Sequence, residues 1–201
     1  MTSPTELTSD YFKNMVSTMR EQSTHKKTCL DEKDLLKKCI LCKKFMSSQE
    51  WGPVLESFLK TSLQIDPKIN EISGDGHKNG NNIEIKVSLG SKSGQLNLVQ
   101  IRPDHTIDYY LFVGYNLYEG DIGKAYVMKI PAADLYALLP IYGGYAHGTI
   151  KELGKITSTN IKGRNCEYAL RPNPTLNDRC AGKRLWIEML KYRVEFEESA
   201  F

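Results

Sequence analysis

The sequence predicts an α/β (α+β) protein with a central mixed sheet flanked by helices, preceded by further helices and followed by an irregular C-terminal region. Apolar residues recur at helical spacing as far as about residue 63. From residue 70 onward Gly and Asn interrupt the chain, and the apolar pattern becomes alternating or continuous, as in strands. With 201 residues, of which 40% are hydrophobic, the chain can bury one sizeable core.

Three helices are predicted ahead of the sheet. Residues 1–26 fit one short amphipathic helix with Ser9 as its N-cap, and residues 31–45 carry a firmer apolar stripe. A third helix, over residues 49–63, follows the capping pair Ser47-Ser48. The helical part of the chain therefore extends up to the first turn signals.

The cysteines bear on both the core and the cellular location. Cys39 and Cys42 lie on the apolar stripe of the second helix, where buried free cysteine is ordinary. Cys29 and His25 lie nearby, so a zinc site is the alternative. Such a site would require a loop between the thiolates of Cys39 and Cys42. Five cysteines in no framework spacing, and an N-terminus unlike a signal peptide, predict a reduced, cytoplasmic (intracellular) location. No apolar run approaches the roughly 18 residues of a membrane span.

Strands are predicted in the middle of the chain and once more near its end. The segments are 83–89, 95–102, 109–118, 125–130 and 166–170. The third is a nearly continuous apolar run, as a strand covered on both faces requires. A short helix follows Pro131 over residues 132–139. The final segment 185–196 could be a helix or a strand, and the spacing of its apolar residues favours the helix.

Three regions follow from this pattern: an N-terminal helical region of residues 1–47, a core of residues 48–140, and a C-terminal region of residues 141–201. The net charge of +3 and the pI near 8.5 are only mildly basic. They permit a polyanionic partner but do not by themselves indicate one.

The most informative residues lie around a predicted hairpin. Asn79-Gly80 is a strong two-residue turn signal that folds a strand ending near Asp75 back against the strand of residues 83–89. Alternation places Glu84 and Lys86 on one face, with Asp75 beside them, while the apolar residues between them face the core. Two carboxylates and one ammonium suit Mg²⁺ and a water held next to it. The pattern is typical of a metal-dependent phosphodiesterase; the alternative is an exposed hairpin with a cross-strand ion pair.

The spacing of these residues resembles that of a known superfamily. Asp75 is followed, after eight intervening residues, by Glu84-Ile85-Lys86. In this pattern the chain resembles the PD-(D/E)xK nucleases and, among them, the type II restriction endonucleases. The resemblance covers about residues 48–130. It departs from the superfamily motif at Gly74, which stands where the motif has Pro.

The resemblance implies a restriction-endonuclease-like core that hydrolyses DNA phosphodiester bonds with Mg²⁺ and leaves 5′-phosphate and 3′-hydroxyl ends. Asp75, Glu84 and the carbonyl of Ile85 would hold the metal. Lys86 would orient or deprotonate the attacking water and stabilise the developing charge.

Two further residues are candidates for the same site. Glu56 lies on the third helix, where many members of the superfamily place an acidic residue, and would bind a second metal or a metal-bound water. A solvated helix residue is the equal alternative. Gln100 is expected on the next strand, at a position that faces the site.

Candidate DNA contacts lie after the strand of residues 95–102 and in the C-terminal region. They are Arg102, His105, Tyr142, Tyr145, His147, Arg164, Arg171, Asn173 and Arg179. Arg pairs with guanine and Asn with adenine, while Tyr and His stack on bases or donate to them. The alternatives are a glycine-rich turn packed by core tyrosines, and solvated surface.

The sequence thus favours a type II restriction endonuclease that cuts double-stranded DNA. Cutting both strands of a palindrome calls for two active sites related by two-fold symmetry, so we expect a homodimer. A cognate DNA methyltransferase is implied, since an unprotected genome would be cut. The alternatives are a DNA repair or junction-resolving nuclease, and a non-catalytic DNA-binding module.

Overall fold

The computed structural model describes residues 9–146, 154–163, 166–198 and 201. The chain divides into two compact units, Met1–Val54 and Leu55–Phe201. None of the helices in the described part of the chain has the length and apolar content needed to cross a membrane.

The first unit is helical, as predicted, but with different boundaries. It contains α1 (Ser9–Asp31), α2 (Leu35–Phe45) and the first part of α3 (Ser48–Ser62). The first helix runs further than the predicted end at residue 26. The second starts later than predicted because Asp34 caps it, its carboxylate accepting a hydrogen bond from the amide of Lys37 at 2.8 Å.

The cysteines of the first unit are core residues. Cys29, Cys39 and Cys42 are fully buried and free. Burial raises the pKa of Cys39 to about 12 and that of Cys42 to about 11, so both thiols stay protonated near neutral pH. This placement fits the expectation of core cysteines on the stripe of α2.

The second unit is built around two sheets, whose strands are numbered in chain order. They are β1 (Asp66–Pro67), β2 (Gly76–Lys78), β3 (Asn81–Ser88), β4 (Leu98–Ile101), β5 (Tyr109–Asn116), β6 (Lys124–Pro131), β7 (Gly144–Tyr145), β8 (Tyr168–Leu170) and β9 (Arg193–Val194). The main, six-stranded sheet has the order β1-β2-β3-β5-β6-β9. Its β3 and β5 are parallel and its other pairs antiparallel, which confirms the predicted mixed sheet with helices.

The buried strand and the helices of the core largely follow the predicted pattern. Every residue of β5 is buried, as expected for a strand covered on both faces. Two helices, α4 (Ala132–Tyr142) and α5 (Ala181–Leu190), pack against this sheet and contribute Leu135, Tyr136 and Trp186 to its core. The predicted helix over residues 185–196 is wrong beyond Leu190, because the chain turns there and adds β9 to the edge of the sheet.

One predicted strand belongs to a different sheet. The segment of residues 95–102 contributes β4, which pairs with β8 in a second, three-stranded sheet of order β4-β8-β7. In the main sheet β3 lies between β2 and β5, and β5 is parallel to it. The connection between β3 and β5 therefore leaves the main sheet and returns to it.

The hairpin at Asn79-Gly80 is confirmed. Both residues have positive φ, 52° and 80°, and the turn sets Lys78 of β2 opposite Asn81 of β3. The strand before the turn starts directly after Asp75, whereas the sequence pattern had placed its end there. The reason is geometric, because a two-residue turn requires the first strand to continue up to Lys78.

Candidate active site

Asp75 is fixed at the start of the hairpin by two hydrogen bonds to β3. Its backbone amide donates to the carbonyl of Ile83 at 2.8 Å, and its Oδ2 accepts from the amide of Ile85 at 2.8 Å. The preceding Gly74 has a φ of +79°, and a Cβ there would lie 2.5 Å from the carbonyl oxygen of Ile83. Only glycine lets the chain approach β3 this closely, which gives a physical reason for the departure from the superfamily motif.

Glu84 and Lys86 lie side by side on β3, as the strand alternation predicts. The Lys86 Nζ donates to Oε1 of Glu84 at 2.6 Å. The two side chains are 11% and 14% exposed, so water reaches them only in part. The carboxylate of Asp75 is anchored to the residue between them. The structure therefore brings all three residues together at one end of the hairpin.

The electrostatic surroundings of Glu84 favour its protonated form. Burial raises the pKa of Glu84, and the negative charge of Asp75 adds to this shift. Lys86, through its charge and its hydrogen bond, and the charge of His105 both act in the opposite direction. A cation bound between the two carboxylates would relieve their repulsion.

The sequence did not reveal Tyr110, which stands next to Glu84, or Tyr136, which contacts Tyr110. Tyr110 is the β5 residue paired with Glu84, and its hydroxyl lies 3.3 Å from that of Tyr136 on α4. Burial raises the pKa of both phenols, so they remain neutral. The parallel register between β3 and β5 brings Tyr110 to this place, and that register leaves no local signal in the sequence.

The oxygen atoms at this position suit a hard divalent cation. Within the described part of the chain, no group donates a hydrogen bond to Oδ1 of Asp75 or to Oε2 of Glu84. The carbonyl of Ile85 points to the same edge of β3 as its amide, which is bound to Asp75. Two carboxylates and a carbonyl match the oxygen ligands that Mg²⁺ prefers. The described residues include no group of three or more His, Cys, Asp or Glu side chains gathered as a metal site.

Glu56 has a partner of its own on α3. Its Oε1 accepts from the Nζ of Lys60, one turn later, at 2.6 Å, and both side chains are about one-third exposed. This contact fits the alternative of a solvated helix residue. A metal-binding role of Glu56 stays a prediction.

Gln100 does not lie on a strand next to β3, and its predicted place at the site is wrong. Gln100 lies on β4 in the second sheet, not on the strand next to β3. Its φ of +57° and the irregular register of β4 break the alternation on which its direction was predicted. The residue is exposed, and the position beside Glu84 belongs to Tyr110.

Arg102 and His105 lie in the loop after β4, close to the candidate site. Together with Asp104, Cys166 and Glu167 they line a cleft of about 430 Å³. The guanidinium of Arg102 is held by Glu167, to which its Nε donates at 2.8 Å. His105 is only partly buried, and its charge reaches Glu84. Contacts of either residue with DNA stay predictions.

The C-terminal candidates are spread over several elements. Tyr142 ends α4, and Tyr145 on β7 donates from its hydroxyl to the carbonyl of Gly154 at 2.9 Å. Arg171 and Arg179 are exposed. His147 and Arg164 lie outside the described residues.

Asn173 is buried, contrary to its predicted contact with DNA. It is 5% exposed, its Nδ2 donates to the carbonyl of Ser93 at 3.0 Å, and its Oδ1 accepts from the amide and the hydroxyl of Thr175. An amide that is buried and hydrogen-bonded at both ends holds two loops together and is not available to read an adenine.

Comparison with known proteins identifies no relative: no family model, no curated protein and no solved structure matches the chain. The resemblance to the nuclease superfamily therefore depends on the residues themselves.

Proposed function

We propose that this chain is a type II restriction endonuclease, which hydrolyses phosphodiester bonds of double-stranded DNA with Mg²⁺. One observation supports this most. Asp75, Glu84 and Lys86 meet at the end of one hairpin, with Lys86 held at 2.6 Å from Glu84 and both side chains mostly buried. Active sites typically contain ionisable side chains that are largely buried and lie next to a cleft.

Each residue of this group has a separate task. Asp75 and Glu84, with the carbonyl of Ile85, would hold Mg²⁺. When bound, the ion would lower the pKa of a coordinated water and offset the negative charge of the phosphate. Lys86 donates one hydrogen bond to Glu84, so its other N–H groups would orient the attacking water and stabilise the developing negative charge. If Lys86 itself deprotonates that water, the neutral amine must do so, with its lone pair accepting the proton. The product ends would be a 5′-phosphate and a 3′-hydroxyl.

Sequence specificity and assembly belong to the same proposal. Arg171 and Arg179 are exposed and of the type that pairs with guanine. A homodimer would present two sites to a palindrome. A cognate methyltransferase would protect the DNA of the host.

The test is digestion of unmethylated phage DNA by the purified protein, with Mg²⁺ or with EDTA, beside Glu84→Ala. We expect discrete bands that require both Mg²⁺ and Glu84, and sequencing of the ends would give the site. DNA binding by Glu84→Ala should persist, since the substitution removes a carboxylate that repels phosphate. Binding without cleavage under any condition, unaffected by EDTA, would leave a non-catalytic DNA-binding module.

A second candidate is a DNA repair or junction-resolving nuclease with the same chemistry. The burial of Asn173 and the pairing of Arg102 with Glu167 favour it, because they leave fewer side chains free to read bases. The mild net charge of +3 argues against a broad basic surface for reading DNA shape. Cleavage of branched but not of linear DNA in the same assay would identify this function.

A further inference from the structure

A cleft of about 600 Å³ opens between α4 and the segment that contains Ile161. Ala133 and Ala137 lie on the exposed side of α4, and their small side chains leave the space open. Tyr136, on the same helix, lines the cleft on its inner side. We call this feature the Tyr136 cleft.

The Tyr136 cleft adjoins the candidate active site through two independent residues. The hydroxyl of Tyr136 lies 3.3 Å from that of Tyr110, which is paired with Glu84 across β3 and β5. His105 also lines the cleft, and its charge acts on Glu84. A ligand in the cleft would therefore lie close to the carboxylates that bind the metal in the proposed function.

The lining of the cleft indicates what kind of ligand it takes. The walls are mainly apolar, formed by alanines, Ile161 and the tyrosine ring. Lys162 and His105 add cationic or hydrogen-bonding groups at the rim. An apolar slot with basic groups beside it is complementary to a nucleobase that carries a phosphate. Its volume lies within the range of small-molecule sites, about 300–1,000 Å³.

We propose that the Tyr136 cleft receives one unpaired nucleobase of the DNA strand that is cut, next to the scissile phosphate. This inference rests on the proposed function for the position of that phosphate. A base that is paired and stacked in a duplex cannot place its faces against the apolar walls of the cleft, so the nucleotide must be extruded or already single-stranded. The energy of unpairing would then contribute to the choice of substrate, since distorted DNA gives up a base more readily.

The test fills the cleft without touching the proposed metal ligands. Ala137→Leu and, separately, Ala133→Leu add a larger side chain at an exposed helical position, where leucine preserves the helix. Ala181→Leu, at an exposed position of α5, is the matched control. Binding of 2-aminopurine deoxynucleoside 5′-monophosphate is followed by its fluorescence, and cleavage of a DNA substrate is measured with the same proteins.

We expect both cleft variants to weaken binding of the monophosphate and to raise KM for DNA by about tenfold or more, while Ala181→Leu changes neither. Wild-type cleavage and wild-type monophosphate binding by a folded Ala137→Leu would overturn the cleft proposal and leave the proposed function intact. Monophosphate binding that is lost in the cleft variants of a protein that never cuts DNA would support the cleft and overturn the proposed function. Failure of the wild-type protein to bind the monophosphate would overturn the cleft proposal regardless of cleavage.

Discussion

Among the Glu–Lys ion pairs of the unit Leu55–Phe201, the pairs on α3 and β3 have the same length but different surroundings. On α3, Nζ of Lys60 lies 2.6 Å from Oε1 of Glu56, and the side chains are 29% and 36% exposed. On β3, Nζ of Lys86 lies 2.6 Å from Oε1 of Glu84, and the side chains are 14% and 11% exposed. The N···O distance is the same in both pairs. The pairs differ in how deeply they are buried and in which residues surround them.

This difference separates a surface interaction from a candidate site. An exposed pair one helical turn apart contributes only about 0.3–0.5 kcal/mol, because water screens both charges. A pair withdrawn from water must offset a desolvation cost, and burial raises the pKa of Glu84. A second carboxylate, Asp75, lies near the buried pair and adds to that shift. Maintaining such an arrangement costs stability, and its use as a metal and water site would explain it.

The largest expected effect is on cleavage, with Glu84→Gln compared with Glu56→Gln. Glu84→Gln keeps the shape of the side chain but removes a proposed ligand charge, so we expect the rate of DNA cleavage to fall on the order of 10³-fold. Glu56→Gln removes the same charge from the exposed pair, and we expect a loss smaller than about tenfold. Single-turnover rates at saturating Mg²⁺ give both values.

The same two variants can overturn the distinction between an active-site pair on β3 and a surface pair on α3. Equal losses in the two variants would place Glu56 among the metal ligands, as the resemblance to the superfamily implies. Full activity of Glu84→Gln would remove β3 from the chemistry altogether. Circular dichroism of each variant serves as the control for folding.

Removing the ammonium of Lys86 should likewise lower the cleavage rate more than removing that of Lys60. Lys86→Met removes the ammonium that is proposed to act on water and should lower the cleavage rate by about 10²-fold or more. Lys60→Met removes an ammonium of similar reach from a helix surface and should leave the rate unchanged. Rates measured on one DNA substrate over a range of Mg²⁺ concentrations would check this. A rate of Lys86→Met near that of wild type would show that Lys86 has only a structural role.

Glu84 should also set a pH dependence of stability and of cleavage. Its pKa is raised in the folded state, mainly by burial, so between the ordinary glutamate value and the raised value the folded protein binds the extra proton. The stability contributed by this residue therefore increases as the pH falls through that window, and cleavage decreases over the same range. The difference in unfolding free energy between wild type and Glu84→Gln, followed from about pH 8 to about pH 4, isolates this contribution.

Added Mg²⁺ should move the acid limb of the pH profile of cleavage to lower pH, because the metal competes with the proton. An acid limb unchanged by Mg²⁺ would argue against Glu84 as a ligand.

The local parts of this site could be predicted from the sequence, since they depend on short-range geometry. Asn79-Gly80 fixes a two-residue turn, and the alternation along β3 puts Glu84 and Lys86 on one face. Asp75 follows from the same turn. The burial of the two charged side chains was not visible locally, because it depends on what covers β3.

The parts that could not be predicted depend on long-range pairing. Tyr110 stands beside Glu84 only because β5 lies parallel to β3 in one register. Gln100 was misplaced because β4 joins β8, a segment about 70 residues further along the chain. Asn173 has the composition of a base-reading residue, yet it is hydrogen-bonded to Ser93 from another loop. Residue type indicated chemistry, and only the fold decided which groups remain available for it.

The smallest expected effect is on the free energy of unfolding. It is measured as the coupling energy within each of the two Glu–Lys pairs. A double-mutant cycle of Glu56→Gln with Lys60→Met should give a coupling energy of about 0.3–0.5 kcal/mol that declines with added salt. The cycle of Glu84→Gln with Lys86→Met should give a larger coupling, on the order of 1–3 kcal/mol, because either single variant leaves a mostly buried group without its partner. Salt should alter this second coupling little, since ions screen buried charges weakly. Urea unfolding of the wild type, the four single variants and the two double variants provides the measurement. Equal couplings with equal salt dependence would mean that the pair on β3 is as solvated as the pair on α3, and burial would then no longer distinguish the candidate site.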